Sequence, residues 1–393
     1  MFKTPIVLAV VLCSLVFFRL IFLGESLFNL IQIGGVLIIV GVLYVQFFFD
    51  KSKRLVQHFR TEILLLFIAV MLSTITPWRD YNQSFATTLL AQRHLYFILF
   101  YFMLHSIKPS AKQIEQVFLA VGLLYSVFSF IQYLVFPQML FDVRASIDRG
   151  TVRIFLPGNS FAIIALFLSM HYFFKTYKKR YLVIMLLIFS VFIQQGTRQV
   201  LFSVAFGTIM FILFNRMIKT KLLIFVLVSL SLIPLYFAFE SIFSEMFAVT
   251  AEQGERFEDN VRVKAALFYL THFKHDIWGY LLGSGMDSQK NIYGVLILHY
   301  KLNLGFYLED IGIVGEFVRF GVLFIVAEIA IIVKIFRSKI PNNMLYIKIY
   351  TLIMCMTIFT GAGFFIFSIS MISLMLYQID LAYNEKQNMI NYE

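Results

Sequence analysis

The stretch LFNLIQIGGVLIIVGVLYVQFFFDKSKRLVQHFR, residues 27–60, decides the fold class. Its first 23 residues carry no charge. As a helix they extend about 35 Å, enough to cross a hydrocarbon core of about 30 Å. The next eleven residues hold four cations and one acid. A short basic connection after an apolar span marks the cytoplasmic side of a membrane.

The same alternation runs along the whole chain of 393 residues, which is 60% hydrophobic and 14% charged with mean hydropathy +0.83. No soluble core absorbs that much apolar side chain, so the class is an all-α polytopic membrane protein. Apolar runs place spans at 5–23, 27–49, 61–77, 86–106, 114–136, 155–174, 181–195, 199–214, 222–239, 311–333, 344–360 and 364–382. About 12 transmembrane helices thus form a single membrane domain over residues 1–393. One large periplasmic loop, about 240–310, lies between spans nine and ten. The N-terminal run MFKTPIVLAVVLCSLVFFRL is too long for a signal-peptide core and no small-x-small site closes it, so it reads as a retained first span.

The connections sort by charge. DKSKRLVQHFR (50–60), SIKPSAK (106–112), KTYKKR (175–180), NRMIKTK (215–221) and KIFRSK (334–339) are short and basic, and with both termini form the cytoplasmic side. Of the 33 cations, 14 Lys and 5 Arg fall on that side, leaving 10 Arg and 4 Lys outside or embedded. The net charge of +11 is therefore mostly an orientation signal, not a nucleic-acid footprint. Cys13 and Cys355 both sit inside apolar runs, which argues against a structural disulfide.

Lysine inside is ordinary topology; arginine gathered outside needs a reason. Arg93 and Arg319 lie about two turns below the outer ends of their spans and should face the bundle interior. Structural ion pairs with Glu25, Asp80 or Asp310 would account for them, and so would a bound anion. Arg19 is close enough to a span end to snorkel. Arg198 sits in GTRQVLFS, where span seven turns over into span eight. There it is either a hairpin residue in the headgroup layer or a guanidinium fork on phosphate oxygens. DVRASIDRGTVRIFLPGNSFA (142–162) brings Arg144, Arg149 and Arg153 to the mouth of span six; lipid headgroups or loop carboxylates are their alternative partners.

Two segments of the long loop have helical character. ERFEDNVRVKAALFYLTHF (255–273) places Phe257, Val261, Ala265 and Phe268 on one face, with Asp259, Arg262 and Tyr269 on a polar one. WGYLLGSG (278–285) makes a glycine turn, and a second helix is expected at 289–304. At its end, NLGFYLEDIGIVGEFVRFGVLF (303–324) presents Glu309 and Asp310 at the outer start of span ten. They suit a helix N-terminus, and a mouth carboxylate is equally a candidate general base. His299 is an alternative base or substrate contact. HFKH (272–275) has no further ligand cluster, so no metal is expected. LLGSG lacks a following Lys-Ser/Thr, so no nucleotide cofactor is expected either.

Three of these segments together resemble the bacterial O-antigen polymerase and ligase superfamily of multi-span glycosyltransferases. They are RGTVRIFLPGNSFA, QQGTRQVLFSVAFG (194–207), and the large loop with Arg262, the GSG turn and EDIGIVGEFVRFGVLF; the resemblance covers about 140–335. The ligase branch typically carries a histidine where this chain has Asp310, which favours a polymerase. The resemblance implies metal-independent transfer of a saccharide from an undecaprenyl-pyrophosphate carrier to an acceptor glycan or lipid on the outer face of the bacterial inner membrane. In that reading Arg198, Arg153 and Arg262 neutralise the pyrophosphate, Arg319, Arg93 and Arg149 support them, and Asp310 is the base or the group that orients it, with Glu309 and His299 as substrate contacts. Membrane lipids and a chain-length regulator are the further partners implied. A ligase, a lipid-linked oligosaccharide flippase and a non-catalytic chain-length partner are the rival readings.

Overall fold

The computed structural model describes residues 3–49, 55–148, 151–222, 226, 230, 244, 260–273, 276–359, 366 and 368–390. It is mostly helical. The first half holds α1 (Lys3–Ser14), α2 (Gly24–Phe49), α3 (Arg60–Leu72), α4 (Ile75–Tyr81), α5 (Phe85–Ala91), α6 (Phe100–Ile107), α7 (Ala111–Val135), α8 (Asn159–Thr176) and α9 (Lys179–Gln194). The second half holds α10 (Arg198–Phe214), α11 (Val261–Thr271), α12 (Ile277–Leu282), α13 (Ile292–Leu304), α14 (Ile313–Arg337), α15 (Leu345–Thr357) and α16 (Ile369–Ile390). Among the described residues, Ile21–Phe48, Arg60–Tyr81 and Ala111–Val135 are long and apolar enough to cross a membrane. Most of the run expected as span nine, and the loop up to residue 259, lie outside the described residues.

The centre of the bundle is α8, buried on every face from Phe161 to His171 and packed on α7, α9 and α15. A helix apolar all round is a helix surrounded by others. By contrast α2 turns Leu30, Leu37, Val40, Tyr44, Val45, Phe47 and Phe48 outward, an unbroken apolar face that water would not tolerate at low cost. Local signals start the helices: Ser110 and Gln113 form a reciprocal capping box at α7, and the Ser84 hydroxyl accepts from Thr87 N at the start of α5.

A polar network ties together the α14 end, α16 and the basic connections before α3 and α7. Asp380 accepts from Tyr101 Oη (2.5 Å), His105 Nε2 (3.0 Å) and the backbone N of His58 (3.3 Å). Lys334 donates to Glu62 (2.9 Å) and to the His58 carbonyl, while Tyr377 Oη reaches the Pro109 carbonyl at 2.9 Å.

Several expected spans are not single helices. The run at 5–23 ends as a helix at Ser14 because the following backbone pairs sideways: Ile21 N donates to Leu140 O and Asp142 N to Arg19 O. The run at 86–106 is divided into α5, a 3₁₀ stretch Arg93–Leu99 and α6. The outer segment expected as loop contains a β-ribbon, Ala145–Asp148 against Thr151–Ile154, with Ser146 opposite Arg153, so the all-α expectation needs that correction.

The long loop builds its own small core from Ala265, Tyr269, Phe273, Tyr293, Ile297, Leu308, Ile311 and Val318. Its helix α11 therefore buries a different stripe from the one expected. Tyr269, assigned to the polar face, is fully buried and donates to the Phe306 carbonyl, while Val261 is exposed. The phenol finds its acceptor inside, which lets the ring join the cluster with Phe268, Phe273 and Tyr300.

Candidate functional site

The site begins with a break in α14. Gly321 is at φ 75°, ψ −174°, extended and outside helical space. The break frees the carbonyls of Val318 and Arg319, and the GSG turn takes them: Ser284 N donates to Val318 O (2.9 Å) and Gly285 N to Arg319 O (2.7 Å). Freed carbonyls away from water persist only where protein supplies such partners. On its other side the turn is held by Gln83, fully buried, whose amide donates to Met286 O (2.9 Å) and Thr88 Oγ1 (2.9 Å) and accepts from Ser288 N (3.2 Å). A further tie runs from Arg79 to Asp276 at 2.7 Å.

This interlock fixes Arg319. Its side chain is 3% exposed and pairs with Glu309 at 2.5 Å, and Lys301 reaches the same carboxylate oxygen at 3.2 Å. Asp287 and Tyr293 also act on it electrostatically. Burial pushes the Glu309 carboxyl up, but Arg319 and Lys301 outweigh that and hold it at about 2. An acid so strong is a poor proton acceptor near neutral pH. Glu309 thus orients the guanidinium, and the structural ion pair considered for Arg319 is made with Glu309, not with Asp310. Asp310 closes the short 3₁₀ turn Leu308–Asp310 and is exposed. Among the described residues its carboxylate makes no hydrogen bond.

A second group forms around the ribbon. Arg153 Nε donates to the Gln195 carbonyl (2.9 Å), and its Nη2 lies 3.5 Å from Thr197 Oγ1. Thr151 Oγ1 donates to the Gln194 carbonyl at 2.9 Å. The Gln195 amide donates to Tyr125 Oη (2.5 Å), and that hydroxyl in turn faces Asn159 at 3.5 Å. Thr197 is the N-cap residue of α10 and Arg198 its first helical residue, half-buried. So the ribbon arginine and the hairpin arginine, separate in sequence, share one turn.

Each group is tied by one hydrogen bond to the end of α15. Gln199 Nε2 donates to Met356 O (3.5 Å), and Ile313 N donates to Ile358 O (2.8 Å). Arg93, half-buried, donates to Leu90 O (2.7 Å) and to Asn29, and is not paired with Glu25 or Asp80. His94 beside it lies within electrostatic reach of both Arg93 and Arg319. Buried Nε atoms of Arg93 and Arg319 have no hydrogen-bond partner among the described residues.

The remaining expected residues stand apart. Arg262 is exposed in the first turn of α11, and His299 is exposed with Asn303 2.8 Å from its Nδ1. Arg149 and His275 lie outside the described residues. Gln83, His94, Gln195, Asp287 and Lys301 carry no signal in the sequence, since a lone amide, imidazole, carboxylate or lysine has no periodic or motif signature; Lys301, eight residues before Glu309, is the one that charge spacing could have suggested. Among the described residues no cluster of His, Cys, Asp or Glu could hold a metal ion.

No family model, no curated protein and no solved structure matches this chain.

Proposed function

We propose that the chain is a polytopic membrane glycosyltransferase of about twelve spans. It would transfer saccharide repeat units from an undecaprenyl-pyrophosphate carrier to a growing surface glycan on the periplasmic side of a bacterial inner membrane. The observation that carries the reading is that Gln199, next to the Arg198 turn that Arg153 joins, and Ile313, just after Asp310 and the Glu309 that pairs with Arg319, each bond to one end of α15. A pyrophosphate leaving group needs its charge neutralised, not a proton, so arginines can act in place of a metal or an acid. The acceptor hydroxyl needs one base, which contributes about 10²–10⁴-fold. Asp310, a carboxylate without a hydrogen bond among the described residues, suits that role better than the salt-bridged Glu309. The Nε atoms of Arg93 and Arg319, without a hydrogen-bond partner among the described residues, are spare donors.

The test is deletion in the host, with lipid-linked and surface glycans resolved by gel and mass spectrometry. A polymerase predicts single repeat units persisting while long chains vanish. Long chains stranded on the carrier would instead make the chain a ligase. Repeat units trapped on the cytoplasmic face would make it a flippase and end the catalytic reading of the arginines.

A further inference from the structure

Val16, Phe17, Phe18 and Arg19 are four consecutive non-glycine residues in the left-handed region, at φ 52°, 49°, 59° and 59°. Left-handed conformations press Cβ on the following carbonyl, so single residues visit them and runs do not. Strain of this kind persists only where the surroundings over-determine it, and it concentrates at ligand clamps. Here the surroundings are visible. Phe18 is buried against Phe128, with ring centroids 5.2 Å apart, and the Arg19 carbonyl accepts from Asp142 N at 2.7 Å. The turn drives Phe18 inward and delivers Arg19 to a surface groove lined by Arg19, Asp142, Val143, Arg144 and Phe155.

The groove has a definite charge. Arg19 is held by Asp142 at 2.6 Å, with its guanidinium 5.2 Å from the Phe28 ring centre. Arg144 is exposed, and among the described residues no carboxylate pairs with it. Two guanidiniums and one carboxylate leave a single net positive charge. That balance of the lining residues matches one phosphate group carrying one charge. Planar guanidinium forks are the side chains best matched to phosphate oxygens. Next to Arg19, Ile21 is 51% and Phe22 76% exposed, an apolar flank on which acyl chains could lie.

We propose that the left-handed turn Val16–Arg19, with Arg144, is a binding site for a single phosphate group, supplied by a lipid headgroup or by free phosphate. Arg153, Arg198 and Arg319 do not line the groove, although the Arg153 guanidinium lies 5.0 Å from the centre of the Phe155 ring that does, and the proposal holds whether or not the chain transfers sugars.

Native mass spectrometry of the full chain in mild detergent, titrated with phosphatidylglycerol, tests it. Arg144→Ala should weaken the bound lipid roughly tenfold, the loss of one charge-assisted contact. Arg19→Ala should weaken it as well, while Arg337→Ala, an exposed arginine on α14, should not. Inorganic phosphate that displaces the lipid would show that the phosphate alone is recognised; failure to displace it would assign the site to a lipid headgroup. Wild-type binding in both Arg144→Ala and Arg19→Ala would overturn the proposal. So would equal weakening in Arg337→Ala, which would reveal unspecific attraction only.

Discussion

Gly283 and Gly321 each occupy the space that the other's neighbours would deny to a side chain. A Cβ on Gly283 would lie 2.3 Å from the Arg319 carbonyl oxygen, and one on Gly321 would lie 2.2 Å from the Leu281 carbonyl oxygen. Both residues also have positive φ, at 80° and 75°. The loop and the broken helix therefore approach backbone to backbone, and neither can retreat without losing the hydrogen bonds of Ser284 and Gly285. Gly283→Ala and Gly321→Ala are each expected to cost at least about 2 kcal/mol. Gly34→Ala and Gly41→Ala are the contrast: both lie in α2 with nothing within 4 Å of a new Cβ. Those two should be neutral or gain up to about 1 kcal/mol of helix propensity. Thermal unfolding of the four variants in one detergent checks the ranking.

Removing the Glu309 charge should expose how Arg319 is compensated. Glu309→Gln leaves a guanidinium 3% exposed with a weakened partner, a change expected to cost about 3 kcal/mol. Asp310→Asn, one residue on, should change stability by less than about 0.5 kcal/mol because Asp310 is exposed. The pH dependence has a definite sign. A carboxyl held at about 2, against the ordinary 4.5, contributes stability that is complete above about pH 4.5 and is lost as pH falls toward 2. Limited proteolysis of the loop should therefore be flat from pH 8 to 5 in the wild type. Sensitivity rising already between pH 7 and 6 would contradict the assignment.

Helical class and apolar length were legible in the sequence because a helix able to cross a bilayer needs a continuous apolar run of its own. α2 and α7 follow from runs of apolar residues alone, and their observed bounds differ from the expected ones by three residues or fewer. What was hidden depends on pairing at a distance. Nothing local to residues 15–21 says that their backbone will bond to 140–142, so a helix was the natural expectation. Tyr269 read as polar because its hydroxyl is polar; its acceptor, the Phe306 carbonyl, is 37 residues away. The site was legible in part. Arg153 and the Arg198 turn were singled out for their chemistry, and their shared turn follows from a ribbon that composition does not announce. Glu309 and Asp310 are adjacent and identical in charge type, and only the position of Arg319 separates their roles.

Activity variants should divide along that separation. Arg198→Lys keeps the charge but loses the fork, and Asp310→Asn removes the proposed base. Each should leave the chain inserted and folded while lowering transfer from lipid-linked donor by at least about 10²-fold. Arg153→Lys should lower transfer and also loosen the hairpin, because its Nε contact to the Gln195 carbonyl has no lysine equivalent. Arg262→Ala, on an exposed turn of α11, should raise the donor concentration needed more than it lowers the maximal rate, as expected of a contact outside the reacting centre. Purified variants assayed for chain elongation give both parameters. Full activity in Arg198→Lys and Asp310→Asn together would sink the assignment.

The Asp380 cluster offers a prediction about stability that does not depend on the reaction. Asp380 is fully buried on α16 and accepts hydrogen bonds from Tyr101 and His105 of α6 and from the His58 backbone before α3. Tyr101→Phe deletes one donor and should cost about 1–1.5 kcal/mol. Asp380→Ala strands the Tyr101 hydroxyl and the His105 ring together and should cost about 3 kcal/mol or more. Once Asp380 is gone, the Tyr101 hydroxyl keeps only the bond it accepts from Phe59 N (3.3 Å), so Tyr101→Phe should cost less than in the wild type. The double variant is therefore expected to be less destabilised than the sum of the two, by about 0.5–3 kcal/mol. Chemical or thermal unfolding of the wild type, both single variants and the double variant closes the cycle. Strict additivity would mean that the short Tyr101–Asp380 contact does not couple α6 to α16 energetically.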